Sequence, residues 1–172
     1  MKFFSFELFR PSQETVAMAS TLHEEWRKTR LREDGTYEPR VKKTNDGAWS
    51  RKHGNKTEVD IANTPFKDLP RDRQAENLAA AASALRAVDK HTGKRKITFL
   101  QQAQLVELVA GEIHADWVSR DKDPERPESD RQPRLHVPYG SLPDNEKEKD
   151  RVIARIAIKQ RGIVFSFEDR KK

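Results

Sequence analysis

The chain has 172 residues and a net charge of +6; 34% of the residues are hydrophobic, 36% are charged, and none is cysteine. One large core is therefore not expected, and disulfide frameworks, thiolate zinc sites and cysteine nucleophiles are excluded. The apolar run that opens the chain is broken by Glu7 and Arg10, too early for a signal peptide. We expect a cytoplasmic protein without a membrane span.

The N-terminal segment predicts a short strand followed by a helix. Phe4 to Glu7 alternates apolar and polar residues, as a half-buried strand does. Ser12 is a good N-cap, so we expect the first helix to begin there. Its apolar stripe at helical spacing is Val16, Ala19, Leu22 and Trp26.

A long polar loop, residues 32–64, follows this helix, and the excess positive charge is concentrated around it. Only four acidic residues lie between positions 27 and 57. A local excess of this kind favours an anionic partner, although a solvated loop that only aids solubility has the same composition. The ten basic residues of this stretch are Arg27, Lys28, Arg30, Arg32, Arg40, Lys42, Lys43, Arg51, Lys52 and Lys56.

The second half of the chain repeats the first. Leu22 to Trp26 is echoed 91 residues later by Ile113 to Trp117, an apolar-His-x-acid-Trp pattern. Pro65 to Pro70 is echoed by Pro138 to Pro143, where Pro-aromatic leads into Leu-Pro. Repetition of this kind indicates two copies of one module, each a helix, a polar loop, a Leu-Pro turn and a second helix.

The remaining elements follow from the same pattern. The second copy's first helix is predicted from a capping box at Thr98 and Gln101. Asp68 and Ser141 are the expected caps of the second helices. The other predicted elements are a stripe of Val106, Val109, Ile113 and Trp117, second helices over Gln74 to Val88 and Glu146 to Ile158, a short extended piece at Lys96 to Phe99, and a C-terminal strand at Phe165 to Glu168.

These motifs resemble the ryanodine-receptor (RyR) repeat, a module found in pairs in calcium-release channels and as stand-alone proteins of bacteria and phages. Thr36 to Pro39 resembles a further loop element of that family, although Gly35 stands where the family has tryptophan. The resemblance implies a mainly α fold: two pseudo-twofold related helix–loop–helix modules with short terminal β-strands. The first repeat would span residues 1–94 and the second 95–172.

In that family a nucleotide base lies between the tryptophans of the two repeats, which correspond here to Trp26 and Trp117. The resemblance therefore implies a nucleotide-type small-molecule ligand held between the repeats. Two aromatic rings on one base contribute about 1–3 kcal/mol per base through stacking, although most tryptophans on an apolar stripe are simply core. The complete set of expected ligand-binding residues is Trp26, Trp117, Arg30, Arg120, Tyr37, Arg40, His23 and His114.

Catalytic motifs are missing from the sequence. No P-loop, Gly-x-Gly-x-x-Gly or Gly-x-Ser-x-Gly occurs, and the histidines are not at zinc-binding spacing. We therefore expect no enzyme, metal or cofactor, and a binding protein that sequesters its ligand, as a phage protein would remove a host immune nucleotide. The alternatives are a basic nucleic-acid-binding module, with weak binding through the loop, and a protein-interaction module; a homo-oligomer is compatible with either.

Overall fold

The computed structural model describes residues 11–93 and 99–163. Within these residues the chain is mainly helical, which confirms the predicted fold class, and it carries one small antiparallel sheet. The strands predicted at residues 4–7 and 165–168 lie outside the described residues, as do residues 96–98 of the expected extended piece. The elements are α1 (Gln13–Lys28), β1 (Val41–Lys43), α2 (Gly47–Lys52), β2 (Glu58–Asp60), α3 (Arg71–Thr92), α4 (Phe99–Asp121) and α5 (Asp144–Gln160).

The chain divides into two compact units, Met1–Ala79 and Ala80–Lys172, and the division falls inside α3. The first unit contains α1, the small sheet and α2. The second contains α4 and α5, which pack against each other. The repeat boundary at residues 94 and 95 remains a prediction. No helix within the described ranges is long and apolar enough to cross a membrane.

Helix α1 begins where the sequence predicts, but its buried face is rotated from the expected stripe. The Ser12 hydroxyl accepts a hydrogen bond from the Thr15 backbone N–H, so the predicted cap is confirmed. Ala19 and Leu22 are buried as expected, together with Met18. Val16 is 38% exposed, so its predicted place in the core is wrong. Because the buried face is rotated, the apolar Met18 side chain lies in the core and the Val16 side chain does not.

The polar loop of the first unit is an ordered substructure in which β1 and β2 pair with Lys42 opposite Val59. Val59 is buried, which ties the sheet to its unit. The carboxylate of Asp46 caps α2 by accepting from the Ala48 and Trp49 N–H groups, and it also accepts from the Arg71 N–H at the start of α3. These bonds, the one from Arg71 first, lower the pKa of Asp46.

Helices α3 and α5 are the second helices of the two copies, and they begin farther along the chain than the expected cap residues would place them. Asp68 and Ser141 are the last residues of short 3-10 turns, Phe66–Asp68 and Tyr139–Ser141, so their assignment as caps is wrong. Helices α3 and α5 start directly after Pro70 and Pro143. Each proline carbonyl accepts the first helical N–H groups, because a proline carbonyl accepts as well as any other although its nitrogen cannot donate.

The sequence repetition extends to burial. Met18, Ala19, Leu22 and His23 are buried in α1, and the residues 91 positions later, Val109, Ala110, Ile113 and His114, are buried in α4. In α3 and α5 the spacing is 73 residues. There Ala81, Ala84 and Leu85 match Ala154, Ala157 and Ile158, and all six are buried.

Candidate functional site

In the first unit, a buried histidine positions the Trp26 ring. The His23 Nε2–H donates to the Thr64 carbonyl at 2.9 Å, because a carbonyl can only accept. The His23 ring stacks on Trp26 with 5.7 Å between ring centroids, and it contacts Phe66 on the Pro-aromatic turn at 6.4 Å. Burial lowers the pKa of His23, so the neutral ring is favoured at pH 7.

The second unit builds the same arrangement. His114 Nε2–H donates to the Val137 carbonyl, again at 2.9 Å, and the His114 ring stacks on Trp117 with 5.8 Å between centroids. The Tyr139 ring takes the place of Phe66, 6.2 Å from His114. Both histidines are therefore buried packing residues that orient the tryptophans, and neither Trp26 nor Trp117 is fully buried.

Beside Trp26, two arginines of the first unit lie over aromatic rings. The Arg30 guanidinium lies over the Trp26 ring, 5.7 Å from its centroid, as the four-residue spacing on a helix allows. Arg30 also donates to the Glu38 backbone carbonyl and pairs with the Glu38 carboxylate at 3.3 Å. The Arg27 guanidinium lies 4.6 Å from the centroid of Tyr37. Trp26, Arg30 and Tyr37 thus belong to one connected surface.

Beside Trp117, a buried carboxylate occupies the position that Arg30 has in the first unit. Asp121 is 1% exposed. It accepts from the Gln132 N–H at 2.8 Å and from His136 Nε2 at 2.7 Å, and its other oxygen pairs with Arg126 at 3.1 Å. His136 in turn meets the Trp117 ring edge-on, with 6.2 Å between centroids.

Sequence reasoning missed this Asp121 network. Its partners lie 5 to 15 residues away in an irregular loop, so no helical or strand spacing indicates them. The carboxylate fixes the His136 ring with Nε2 as a donor, which leaves Nδ1 as an acceptor whenever that ring is neutral. The network therefore places a polar group next to Trp117.

No protein-family model matches the chain. No curated protein matches it either. The resemblance to the RyR repeat therefore remains a prediction from the sequence motifs.

Arg120 and Arg40, the remaining residues predicted to bind the ligand, differ in exposure. Arg120 is half-buried and ion-paired with Asp116, and burial lowers the pKa of Arg120. Arg40 is exposed at the edge of the small sheet, where its backbone N–H donates to Asp60. In the part of the chain that the structure describes, no group of three His, Asp or Glu side chains could hold a metal ion.

A half-buried acid lies beside His114. Asp150 Oδ2 is 3.4 Å from His114 Nδ1, and its side chain is 15% exposed. Burial raises the pKa of Asp150 to about 6, against the opposing effect of His114. At the equivalent position in the first repeat, 73 residues earlier, the sequence has Asn77. The first copy thus has an uncharged amide side chain where the second copy has a carboxyl group.

Asp150→Asn is expected to stabilise the protein at neutral pH and to change its pH dependence. Because the folded pKa lies above the ordinary 3.8, the folded state holds this proton more tightly. Stability from Asp150 is therefore fully present below pH 4 and is lost as pH rises through about 6. The variant should gain on the order of 1–3 kcal/mol over wild type between pH 4 and pH 8.

The measurement is urea unfolding at several pH values between 4 and 8, with the difference between variant and wild type plotted against pH. Asp144→Asn is the control, because Asp144 is exposed and its pKa is lowered by the hydrogen bond from Arg151. The difference for that control should stay nearly constant over this range, because a pKa lowered from 3.8 changes stability with pH only below about pH 4. A difference for Asp150→Asn that does not grow with pH would contradict the prediction.

Proposed function

We propose that this protein is a non-catalytic binding protein for a nucleotide or a nucleotide-derived signalling molecule, whose base stacks on Trp26 and Trp117. The observation that carries the proposal is the matched pair of His–Trp arrangements, each with a tryptophan that retains exposed surface. A core role alone requires neither this exposure nor polar groups around the ring. Aromatic faces of this kind are what purine and pyrimidine rings stack on.

The surroundings of the two tryptophans differ in charge, and this difference supports an oriented ligand. Arg30 lies over Trp26, whereas the buried acid Asp121 occupies the same helical position beyond Trp117. A phosphate is therefore recognised at the Trp26 side, where Arg30 offers a planar fork of N–H donors. The Glu38 side chain that now pairs with Arg30 is 59% exposed, so a phosphate can replace it at little cost.

Tyr37 and Arg40 follow Arg30 along the chain and extend this surface. The Arg27 guanidinium packs on the half-buried Tyr37 ring and fixes its position. Arg40 is exposed. Arg120 contributes less in this proposal, because Asp116 already neutralises it. The protein acts by sequestering its ligand, which suits a phage or mobile-element protein that removes an immune nucleotide from its host.

Replacing either tryptophan by alanine is expected to weaken nucleotide binding about 5- to 150-fold, because stacking contributes about 1–3 kcal/mol per base. The measurement is isothermal titration calorimetry with ADP and with cyclic ADP-ribose, on Trp26→Ala and Trp117→Ala separately. Calorimetry is preferred to fluorescence because the chain has a third tryptophan, Trp49. Arg30→Gln should lose affinity for ADP and much less for adenosine.

Trp49→Phe is the matched control, because this ring lies on α2, where it stacks on His53. It should bind as the wild type does. Wild-type affinity in both alanine variants would show that the two rings are core residues and that nucleotides bind elsewhere.

A further inference from the structure

Helix α2 and the turn after it, residues 47–57, form a compact substructure with fixed ends. We call it the His53 platform. Asp46 fixes its start, as described above. At its end the Asn55 N–H donates to the Ser50 carbonyl, and Gly54 takes a φ of 71°. This is the Schellman arrangement, in which a glycine adopts the left-handed conformation at low cost. Six helical residues are thus held at both ends.

A stack of two aromatic rings covers this platform. The rings of Trp49 and His53 lie nearly parallel, with 4.1 Å between centroids and 18° between planes. His53 Nδ1–H donates to the Trp49 carbonyl at 2.8 Å, and Trp49 Nε1–H donates to the Asp68 carbonyl at 3.0 Å. Both rings are therefore fixed in orientation. Trp49 is half-buried beneath the stack, whereas His53 is exposed.

The charge of the platform has one sign. Residues 47–57 contain Arg51, Lys52 and Lys56, all exposed, and no acidic residue. The nearest acid before them, Asp46, is occupied by three backbone N–H groups. Glu58 is the first acid after the platform. Fixed planar rings beside exposed cations are the two components that single-stranded nucleic-acid sites combine.

We propose that the His53 platform binds single-stranded nucleic acid. One base stacks on the outer face of His53, extending the ring stack to three, and the flanking phosphates contact Lys52, Lys56 and Arg51. An unpaired strand is required because a base inside a duplex has no free face to offer this ring. The site shares no residue with the Trp26 and Trp117 surfaces, so it does not depend on the nucleotide proposal.

The test separates stacking from charge by titrating a fluorescein-labelled single-stranded oligonucleotide at several salt concentrations. His53→Ala should weaken binding about 5- to 150-fold at every salt concentration, the loss of one stacked base. His53→Phe should bind at least as tightly as wild type. Lys52→Gln/Lys56→Gln should instead flatten the logarithmic salt dependence by about 1.4, since each phosphate contact on a single strand contributes about 0.7.

The control is Lys122→Gln/Lys159→Gln, which removes the same charge from exposed positions in the second unit. It should leave the salt dependence near that of wild type. A duplex of the same sequence should bind more weakly and respond to His53→Ala by less than about twofold, because it cannot stack on the ring. Wild-type affinity in His53→Ala, or equal losses in the two lysine double variants, would overturn the proposal.

Discussion

Replacing Asp121 by alanine is expected to lower the free energy of unfolding by about 3–5 kcal/mol, the cost of breaking a buried charge pair. The carboxylate is 1% exposed and serves three partners at once. Without it the Gln132 N–H and the His136 ring lose their shared acceptor, and the Arg126 guanidinium loses an ion-pair partner. Since whole domains are stable by about 5–15 kcal/mol, this single change removes a large part of the stability.

The measurement is chemical unfolding followed by circular dichroism, with tryptophan fluorescence as a second probe. Asp121→Asn keeps the size and one acceptor oxygen, so it should lose less than the alanine variant. Asp123→Ala is the control, because Asp123 is exposed and its carboxylate accepts from the nearby Glu125 N–H. If Asp121→Ala and Asp123→Ala had the same free energy of unfolding, the network would not stabilise the fold and the prediction would be wrong.

The same network shows why part of this site could not be predicted. The tryptophans and histidines were found because their pattern recurs after 91 residues. Asp121 stands at the position of Arg30, so the sequence shows only a missing arginine. That the acid is buried depends on the path of residues 122–136, and the carboxylate in turn bonds to Gln132 and His136 within that segment. Local patterns cannot predict a loop whose conformation depends on one buried side chain.

The helix boundaries were predictable wherever a local interaction decides them. Ser12 caps α1 because its hydroxyl needs only the N–H three residues ahead. Asp68 and Ser141 have suitable side chains too, but the 3-10 turns and the prolines that follow move the helix starts to Arg71 and Asp144. Proline two residues after a candidate cap is therefore the stronger signal here.

The ordered structure of the polar loop in the first unit is another feature that amino-acid composition does not predict. Residues 41–60 look like a solvated basic segment, yet they form a sheet and a capped helix. The interactions that order it are contributed from outside: Thr44 donates to Asp72, and Arg73 donates to the Lys43 carbonyl. Both partners lie in the first turn of α3, about 30 residues away, which a reading along the chain cannot connect.

Met18→Ala is expected to lower the free energy of unfolding by about 2–5 kcal/mol, as removal of a large buried side chain does. Met18 is fully buried in α1, and the equivalent residue of α4, Val109, is fully buried too. Truncation at Met18 removes three heavy atoms from the core and leaves a cavity there.

Val16→Ala on the same helix is the matched control, because Val16 is the residue that helical periodicity wrongly placed in the core. Its exposed side chain should change stability by less than about 0.5 kcal/mol. Met18→Leu conserves volume and should cost less than about 1.5 kcal/mol. Urea unfolding of the three variants measures all of these differences. A larger loss for Val16→Ala than for Met18→Ala would mean that α1 buries the face first expected from its sequence, and that the Trp26 ring on that face belongs to the core.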